Sequence, residues 1–411
     1  MTAAGWVLRA LSLGIHSLSR PAVWSRATAL IAGLSTLYHL AALLETLAFA
    51  RRLRRRPLSE DFRPPVTLLK PLARWDEEVR ANLETFCRQA YPTYEVLVGI
   101  SPGTDVPPET SLWGCRGQLR WVRCRPGWAL NPKVNQLLQM APAAAYDVWV
   151  LSDADIRVEA DYLARVVAPL GETGVGAVTC LYRAREARTL PAAVEALITN
   201  TDSLPALLLA RRLLGGLRFA FGATVALRRE ALAAIGGLEA PADYLADDYQ
   251  IGARLRRAGY RVELADVLVD HHQPVMHLKD LLRHQVRWAR TTRVCEPLGW
   301  SLGVLTYLTF WALVALVARG WTRISWLLVA GVGVFRLLES YFINAAVDGL
   351  SGFWRVAWVI PLKDLFIVGV WGWSFLGRQV YWGGRLYRVD VQGRLTPVRE
   401  PVPGMARKPS G

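Results

Sequence analysis

Four short stretches of this chain place carboxylates, guanidinium groups and amides at spacings that suit phosphate and hydroxyl chemistry. In Val148-Trp149-Val150-Leu151-Ser152-Asp153-Ala154-Asp155 an apolar strand runs into two acids separated by one residue. Mg²⁺ or Mn²⁺ prefers carboxylate oxygens together with substrate phosphates. Asp153 and Asp155 could therefore hold such an ion against a nucleotide diphosphate, where it neutralises charge developing on the leaving group; the same pair can equally begin a turn or cap a helix. In Ala246-Asp247-Asp248-Tyr249 two acids open a helical pattern. The helix dipole favours acids there as caps, and a carboxylate within reach of an acceptor hydroxyl also serves as a general base. His284-Gln285-Val286-Arg287-Trp288 offers a guanidinium for bidentate phosphate contact and a flat face for a sugar or acceptor, although an Arg/Trp pair also suits a membrane-interface anchor. Asn131-Pro132-Lys133-Val134-Asn135 sets a lysine and two amides at a turn into a helix, fit for phosphate or a nucleobase and equally an ordinary helix start.

The elements that must position these residues lie in residues 57–297, where short apolar stretches alternate with amphipathic ones, the pattern of an open α/β sheet with crossover helices. Strands are predicted at Val66–Leu69, Glu95–Ile100, Leu119–Arg123, Val148–Leu151, Val175–Leu181 and Ala220–Leu227. Helices are predicted at Glu77–Gln89, Val134–Met140, Ala160–Leu170, Tyr249–Ala258 and Leu278–Thr292. Such sheets bind ligands beyond the carboxyl ends of their strands, so chemistry is expected just after Ile100 and Leu151.

Outside that domain the texture is that of a membrane protein: 52% of the chain is hydrophobic, it has 17 Trp, and only 20% is charged. In the N-terminal segment, residues 1–56, the apolar run Ala27–Ala50 would span about 36 Å as a helix at roughly 1.5 Å per residue, enough for a hydrocarbon core of about 30 Å. Arg51, Arg52, Arg54, Arg55 and Arg56 follow it and should stay cytoplasmic. Residues 298–377 hold three further apolar stretches. Leu298–Ala318 reads as a clear span, and Ile324–Val347 as a span whose Arg336 and Glu339 pair on one face. Phe353–Gly377, interrupted by Pro361, Lys363 and Asp364, reads as re-entrant or interfacial. The basic tail, residues 378–411, is expected to remain cytoplasmic with a disordered Pro/Arg-rich end, giving one N-terminal and two C-terminal spans plus one partly inserted segment.

The net charge of +15 suits anionic lipid or a phosphorylated substrate. It does not call for nucleic acid, because the arginines cluster beside a membrane span. A transporter is disfavoured too, since few spans flank a long soluble stretch. Cys87, Cys115, Cys124, Cys180 and Cys295 contain no CxxC pair and read as buried thiols of a reducing compartment. His271, His272 and His277 match no metal spacing and suit a loop or sheet edge. Leu204–Ala210 followed by Arg211-Arg212 fits a helix lying on the membrane or, equally, a core helix.

Taken in order, Asn131–Asn135, Ser152-Asp153-Ala154-Asp155-Ile156-Arg157-Val158, Ala246–Tyr249 and the Arg287-Trp288 end of a Q/R-x-x-R-W motif resemble the ceramide glucosyltransferase family and a bacterial relative that glycosylates hopanoid lipids. The resemblance covers about Pro64 to Pro297 and, loosely, the flanking membrane segments. It implies a GT-A type (Rossmann-like) α/β fold with transmembrane helices at both ends, in a bacterial inner membrane with the catalytic domain cytoplasmic. It further implies inverting, metal-dependent transfer of a hexose, glucose first, from a UDP-sugar to the primary hydroxyl of a lipid such as ceramide. N-acetylglucosamine or another hexosamine onto a hopanoid is the alternative. By position, Asp248 matches the catalytic base, Asp153 and Asp155 the metal ligands, and Asp105, Lys133, Asn135, Asp153, Arg287 and Trp288 the donor site. Three departures stand out: position 284 is His, the stretch before Asp105 is less acidic than in relatives, and Asp155 is an acid that eukaryotic ceramide enzymes lack.

Overall fold

Val66–Leu72 (β1) and Tyr94–Ile100 (β2) are buried at every position, as strands covered on both faces must be. The computed structural model describes residues 21–55, 62–101, 103–106, 118–272 and 275–398. With Gln118–Arg123 (β3), Val148–Leu151 (β4), Ile156–Arg157 (β5), Val175–Ala184 (β6), Val225–Arg228 (β7) and Arg261–His271 (β8) they form one eight-stranded sheet, in the order β3-β2-β1-β4-β7-β6-β8-β5. The half from β3 to β4 is parallel. β7 runs antiparallel to both β4 and β6, and β5 antiparallel to β8. This mixed sheet bears out the GT-A type α/β fold. Side chains alternate between two cores: Leu68 and Val96 meet Leu83 and Phe86 of helix Glu77–Cys87, while Leu69 and Leu97 meet Val134 and Leu137 of helix Pro132–Met140. Gly99 lets the second helix close, because a Cβ there would stand 2.5 Å from Met140 Sδ.

The membrane segments depart from expectation. Among the described residues, three helices are long and apolar enough to cross a bilayer: Trp24–Arg55, Arg323–Ala346 and Phe353–Ser374. The stretch read as the clearest C-terminal span is instead broken, with Pro297–Thr306 and Leu308–Ala318 meeting at 56°. Carbonyls freed by the break find donors in the Trp311 indole, 2.8 Å from Val304 O, and in His39 Nε2, 3.0 Å from Thr306 O. Pro361, expected to interrupt the last stretch, stands in the first turn of helix Ile360–Ser374, where its missing N–H leaves no bond unmade.

Lys363 and Asp364 are not interfacial either. Arg336 reaches Glu339 at 2.5 Å, Asp202 at 2.7 Å and Asp364 at 2.9 Å, while Lys363 reaches Asp202 at 2.5 Å and Asp364 at 2.7 Å. His39 of the first helix adds a contact to Glu339 at 2.9 Å. The expected Arg336–Glu339 pair is thus part of a larger buried cluster drawn from three membrane helices and, through Asp202, from the soluble domain.

The tail is not free. Gln379–Trp382 (β9), Arg385–Val389 (β10) and Leu395–Pro397 (β11) form an antiparallel sheet. Val380, Tyr387, Val389 and Leu395 of this sheet pack on Leu245. Leu395 N donates to Asp243 O at 2.7 Å and Leu245 N to Gly393 O at 3.0 Å, tying the sheet to the soluble domain. Residues 399–411, like 1–20, Arg56 and Cys115, lie outside the described residues. Cys124, Cys180 and Cys295 are free thiols. Cys87 is disulfide-bonded, which overturns the reading of five thiols.

Candidate active site

β4 ends at Leu151, and a buried lysine of the neighbouring strand fixes the main chain just beyond it. Lys70 Nζ donates to Asp153 O at 2.5 Å, with its ammonium 3.7 Å from the centre of the Phe86 ring. Burial pushes this ammonium down to about 7. Asn82 Nδ2 donates to Ala154 O at 3.2 Å. With the backbone held from behind in this way, the carboxylates of Asp153 and Asp155 project from the strand end. Asp155 Oδ2 meets His271 Nε2 at 3.0 Å. Burial would raise the Asp155 carboxyl, but the charge and hydrogen bond of His271 hold it well below the usual range. Burial in turn lowers the imidazole, and Asp155 outweighs it, so His271 is raised. His271 is the last residue of β8, paired with Ile156 of β5 on one side and Ala184 of β6 on the other, so it lies within the sheet and not at the expected edge or in a loop. No group of three or more His, Cys, Asp or Glu poised for a metal occurs among the described residues.

Asn131 builds the second wall. Its Oδ1 caps the helix by accepting from Lys133 N at 2.9 Å and Val134 N at 3.1 Å, and its Nδ2 donates to Tyr244 O at 2.9 Å and Asp247 Oδ1 at 3.3 Å. Lys133 then points its ammonium between Asp153 at 2.7 Å and Asp247 at 3.4 Å. The Asn135 side chain goes elsewhere. Its Oδ1 accepts from Trp128 N and its Nδ2 donates to Arg125 O, both at 2.9 Å, so it braces the loop before the helix rather than facing the cleft.

Helix Asp247–Arg257 brings in the third acid. Asp248 Oδ1 accepts from Tyr249 N at 2.8 Å. Its Oδ2 faces Gly222, where a Cβ would stand 3.1 Å from it and 3.2 Å from Asp153 Oδ2. Asp153 and Asp248 therefore share one cleft, on either side of a residue with no side chain. Burial, then the neighbouring Asp247 charge, push the Asp248 carboxyl up to about 7 against the pull of Lys133. Gly252 permits this placement, since a Cβ there would lie 2.6 Å from Phe219 C.

Helix Leu278–Cys295 supplies the remaining members. His284 Nδ1 meets buried Glu195 Oε1 at 2.7 Å, and the Trp288 ring lies 4.6 Å from His284 and 6.3 Å from Tyr182. Burial lowers the Arg287 guanidinium, and Glu195, Asp153, Tyr182 and Asp155 oppose it, so this cation looks onto the acid-lined cleft. Its guanidinium makes no hydrogen bond or ion pair among the described residues. Asp105 sits exposed on the loop after β2, with no contact to these groups among the described residues. The structure thus gathers Lys133, Asp153, Asp155, Asp248, Arg287 and Trp288 around one region and leaves Asp105 and the Asn135 side chain apart. Lys70, Glu195, Asp247 and His271 were missed as members of it. Lys70 carried a local signal, as a cation inside the apolar run of β1, and so did Asp247, as the first acid of Ala246–Tyr249.

Caenorhabditis elegans ceramide glucosyltransferase 1 is 25% identical over 207 residues, covering 49% of this chain and 44% of that protein. Ceramide glucosyltransferase 3 of the same organism is 23% identical over 250 residues, 58% and 53% respectively. The chain spans about half the length of these curated relatives. Among solved structures, glucosyl-3-phosphoglycerate synthase from Mycobacterium tuberculosis, with Mn²⁺, UDP and phosphoglyceric acid, is similar at 16% identity and a TM-score of 0.34, covering 57% of this chain and 79% of that one. GalNAc-T7 with UDP, GalNAc and Mn²⁺ is similar at 12% identity and a TM-score of 0.38, covering 61% and 55%. The family model for Glycosyl transferase family 21 matches residues 27–395, from within the first membrane helix to β11, and the chain belongs to that family.

Proposed function

We propose that the protein transfers a hexose, glucose first, from a UDP-sugar to the primary hydroxyl of a membrane lipid such as ceramide, with inversion at the sugar. The observation that carries this reading is the shared cleft: Asp153 and Asp248 face each other across Gly222, and Arg287 lies within their field. Asp153 and Asp155, just beyond the end of β4, carry the carboxylate oxygens that a hard divalent cation of the Mg²⁺ or Mn²⁺ kind takes together with phosphate oxygens and water. Such an ion, when bound, supplies positive charge to the departing diphosphate.

The chain's own groups account for the rest. Asp248 Oδ2 takes the proton of the acceptor hydroxyl, whose oxygen forms a bond to the anomeric carbon as the bond to the diphosphate oxygen breaks. Arg287 and Lys133 meet the charge that gathers on UDP, and Trp288 offers a face to the sugar or the acceptor.

Membrane attachment suits an acceptor that stays in the bilayer. Because the β9–β11 sheet is bonded to the soluble domain, both lie on one side of the membrane, and the chain between them crosses an even number of times. In this reading helices Arg323–Ala346 and Phe353–Ser374 are the two crossings, and the bent pair 297–318 is re-entrant and not a span. The exposed arginines that end the first helix support a cytoplasmic soluble side by the positive-inside tendency.

The test is incubation of the purified protein with labelled UDP-glucose and UDP-N-acetylglucosamine against ceramide, a hopanoid alcohol and extracted membrane lipids. Labelled glucosylceramide is expected. Transfer of hexosamine to the hopanoid would replace the acceptor and donor named here while keeping the chemistry, and label on no lipid would end the reading.

A further inference from the structure

Where the last membrane helix gives way to β9, a pocket of about 430 Å³ is lined by Arg290, Arg378, Arg388, Leu376, Gly377 and Gln379. Arg290 donates to the carbonyls of Gln379 and Leu376, and Arg293 beside it donates to Gly377 O at 3.2 Å. The Nε atoms of both arginines are buried without a hydrogen-bond partner. None of Arg290, Arg293, Arg378 and Arg388 makes an ion pair among the described residues. Four guanidinium groups thus gather with no carboxylate to balance them, two of them with a buried, unbonded Nε, and an anion would complete the set. Burial and the nearby arginines push the guanidinium groups of Arg290 and Arg293 downward, whereas Arg287 is influenced by the cleft acids.

The rim indicates which anion. Trp373, Phe375 and Leu376 are 57%, 41% and 68% exposed, at the end of a helix able to span a bilayer. A ligand with a phosphate among the arginines would lay its apolar part along these side chains, and basic pockets beside membrane helices are suited to anionic head groups. We propose that this pocket binds the phosphate of an anionic phospholipid at the membrane surface, separate from the donor and acceptor sites. This rests on the proposed membrane topology but not on the identity of the sugar or acceptor.

Arg378 and Arg388 are exposed and donate no side-chain hydrogen bond among the described residues, so Arg378→Gln/Arg388→Gln should fold. The protein, purified in detergent, would be delipidated, mixed with phosphatidylglycerol or phosphatidylcholine, and scored for retained lipid by native mass spectrometry. UDP-glucose affinity and thermal midpoint would be measured on the same samples, and inorganic phosphate would be added in a parallel arm. Wild type is expected to retain phosphatidylglycerol over phosphatidylcholine, and the double variant to bind it about tenfold or more weaker, for the loss of two basic side chains facing an anionic head group, with UDP-glucose affinity and thermal midpoint unchanged. Equal retention by wild type and variant, or no preference between the lipids, would overturn the proposal. Stabilisation by inorganic phosphate equal to that by phosphatidylglycerol would make this a soluble-anion site instead. Loss of UDP-glucose binding in the variant would assign the arginines to the donor and equally refute it.

Discussion

If Asp248 is the proton acceptor, its environment fixes where activity falls with acid. Burial and the Asp247 charge carry its carboxyl from the ordinary 3.8 to about 7. A raised carboxyl pKa means the base is protonated, and idle, at every pH below about 7. kcat/KM should therefore rise roughly tenfold per pH unit up to about 7 and flatten above it, as expected for a single essential base. Asp248→Asn removes the acceptor and should lower kcat by about 10²- to 10⁴-fold, the usual worth of a positioned base, while leaving UDP-sugar affinity in place. Asp247→Asn is the sharper control. Asp247 reaches Lys133 and Asn131 and adds the second-largest push on Asp248, so its neutral form should move the acid limb to lower pH without abolishing turnover. The assay is release of labelled UDP across pH 5 to 9 at saturating metal. An acid limb near 4 in wild type, or an Asp248→Asn variant within threefold of wild type, would refute the assignment.

Three further outcomes are expected from the geometry. Lys133→Ala removes the cation shared by Asp153 and Asp247; kcat/KM should fall about a hundredfold, comparable to losing one preorganised donor, and the acid limb should move up because Lys133 holds Asp248 down, both read from the same pH series. Arg336→Met strips the membrane cluster of the cation that Asp202, Glu339 and Asp364 share. It should cost about 3–5 kcal/mol, the penalty for stranding buried charge, seen as a lowered unfolding midpoint in detergent and partly recovered in Arg336→Met/Asp364→Asn. Gly252→Ala drives a methyl into the Phe219–Ala220 backbone; a loss of about 1–3 kcal/mol from overpacking, with reduced turnover as Asp248 shifts, is expected from thermal melts and rate assays.

What could be read from the chain divides by range. β1, β2, β4 and β6 were legible because each is a largely apolar run and β3 through Leu119, Trp121 and Val122 set among Gln118, Arg120 and Arg123, while Asp153 and Asp155 follow β4 directly and Asp248 stands in the first turn of a helix. β8 was not, since Glu263, Asp266 and Asp270 interrupt its apolar residues and neither face of the strand is buried throughout. The tail sheet was hidden for a related reason. Its arginines set the composition, while Val380, Tyr387 and Val389, two residues or more apart, carry the packing. Lys70, Glu195 and His271 act through partners 83, 89 and 116 residues away, and no local spacing announces such pairs. The membrane segments failed the same way: Pro361, Lys363 and Asp364 look disruptive in a linear reading, yet a proline in a first turn is harmless and the two charges find Asp202 and Arg336 in three dimensions.

Glu195 and Asp202 explain why the cleft and the membrane helices cannot be treated as separate parts. Helices Leu190–Ile198 and Leu204–Leu213 are joined by the π turn Thr199–Ser203. The wider turn rotates the side chains beyond it relative to an unbroken α-helix. Glu195, before the turn, holds His284 and through it the face on which Trp288 packs. Asp202, within the turn, holds Arg336 and Lys363 of two membrane helices. One continuous helical stretch therefore sets the height of the cleft's aromatic wall relative to the bilayer. Both carboxylates are anchored by strong, charge-assisted bonds, so the wall cannot drift from the lipid without breaking one of them. If the acceptor stays in the membrane, as proposed, that fixed offset would determine whether a lipid hydroxyl arrives at Asp248 or stops short of it.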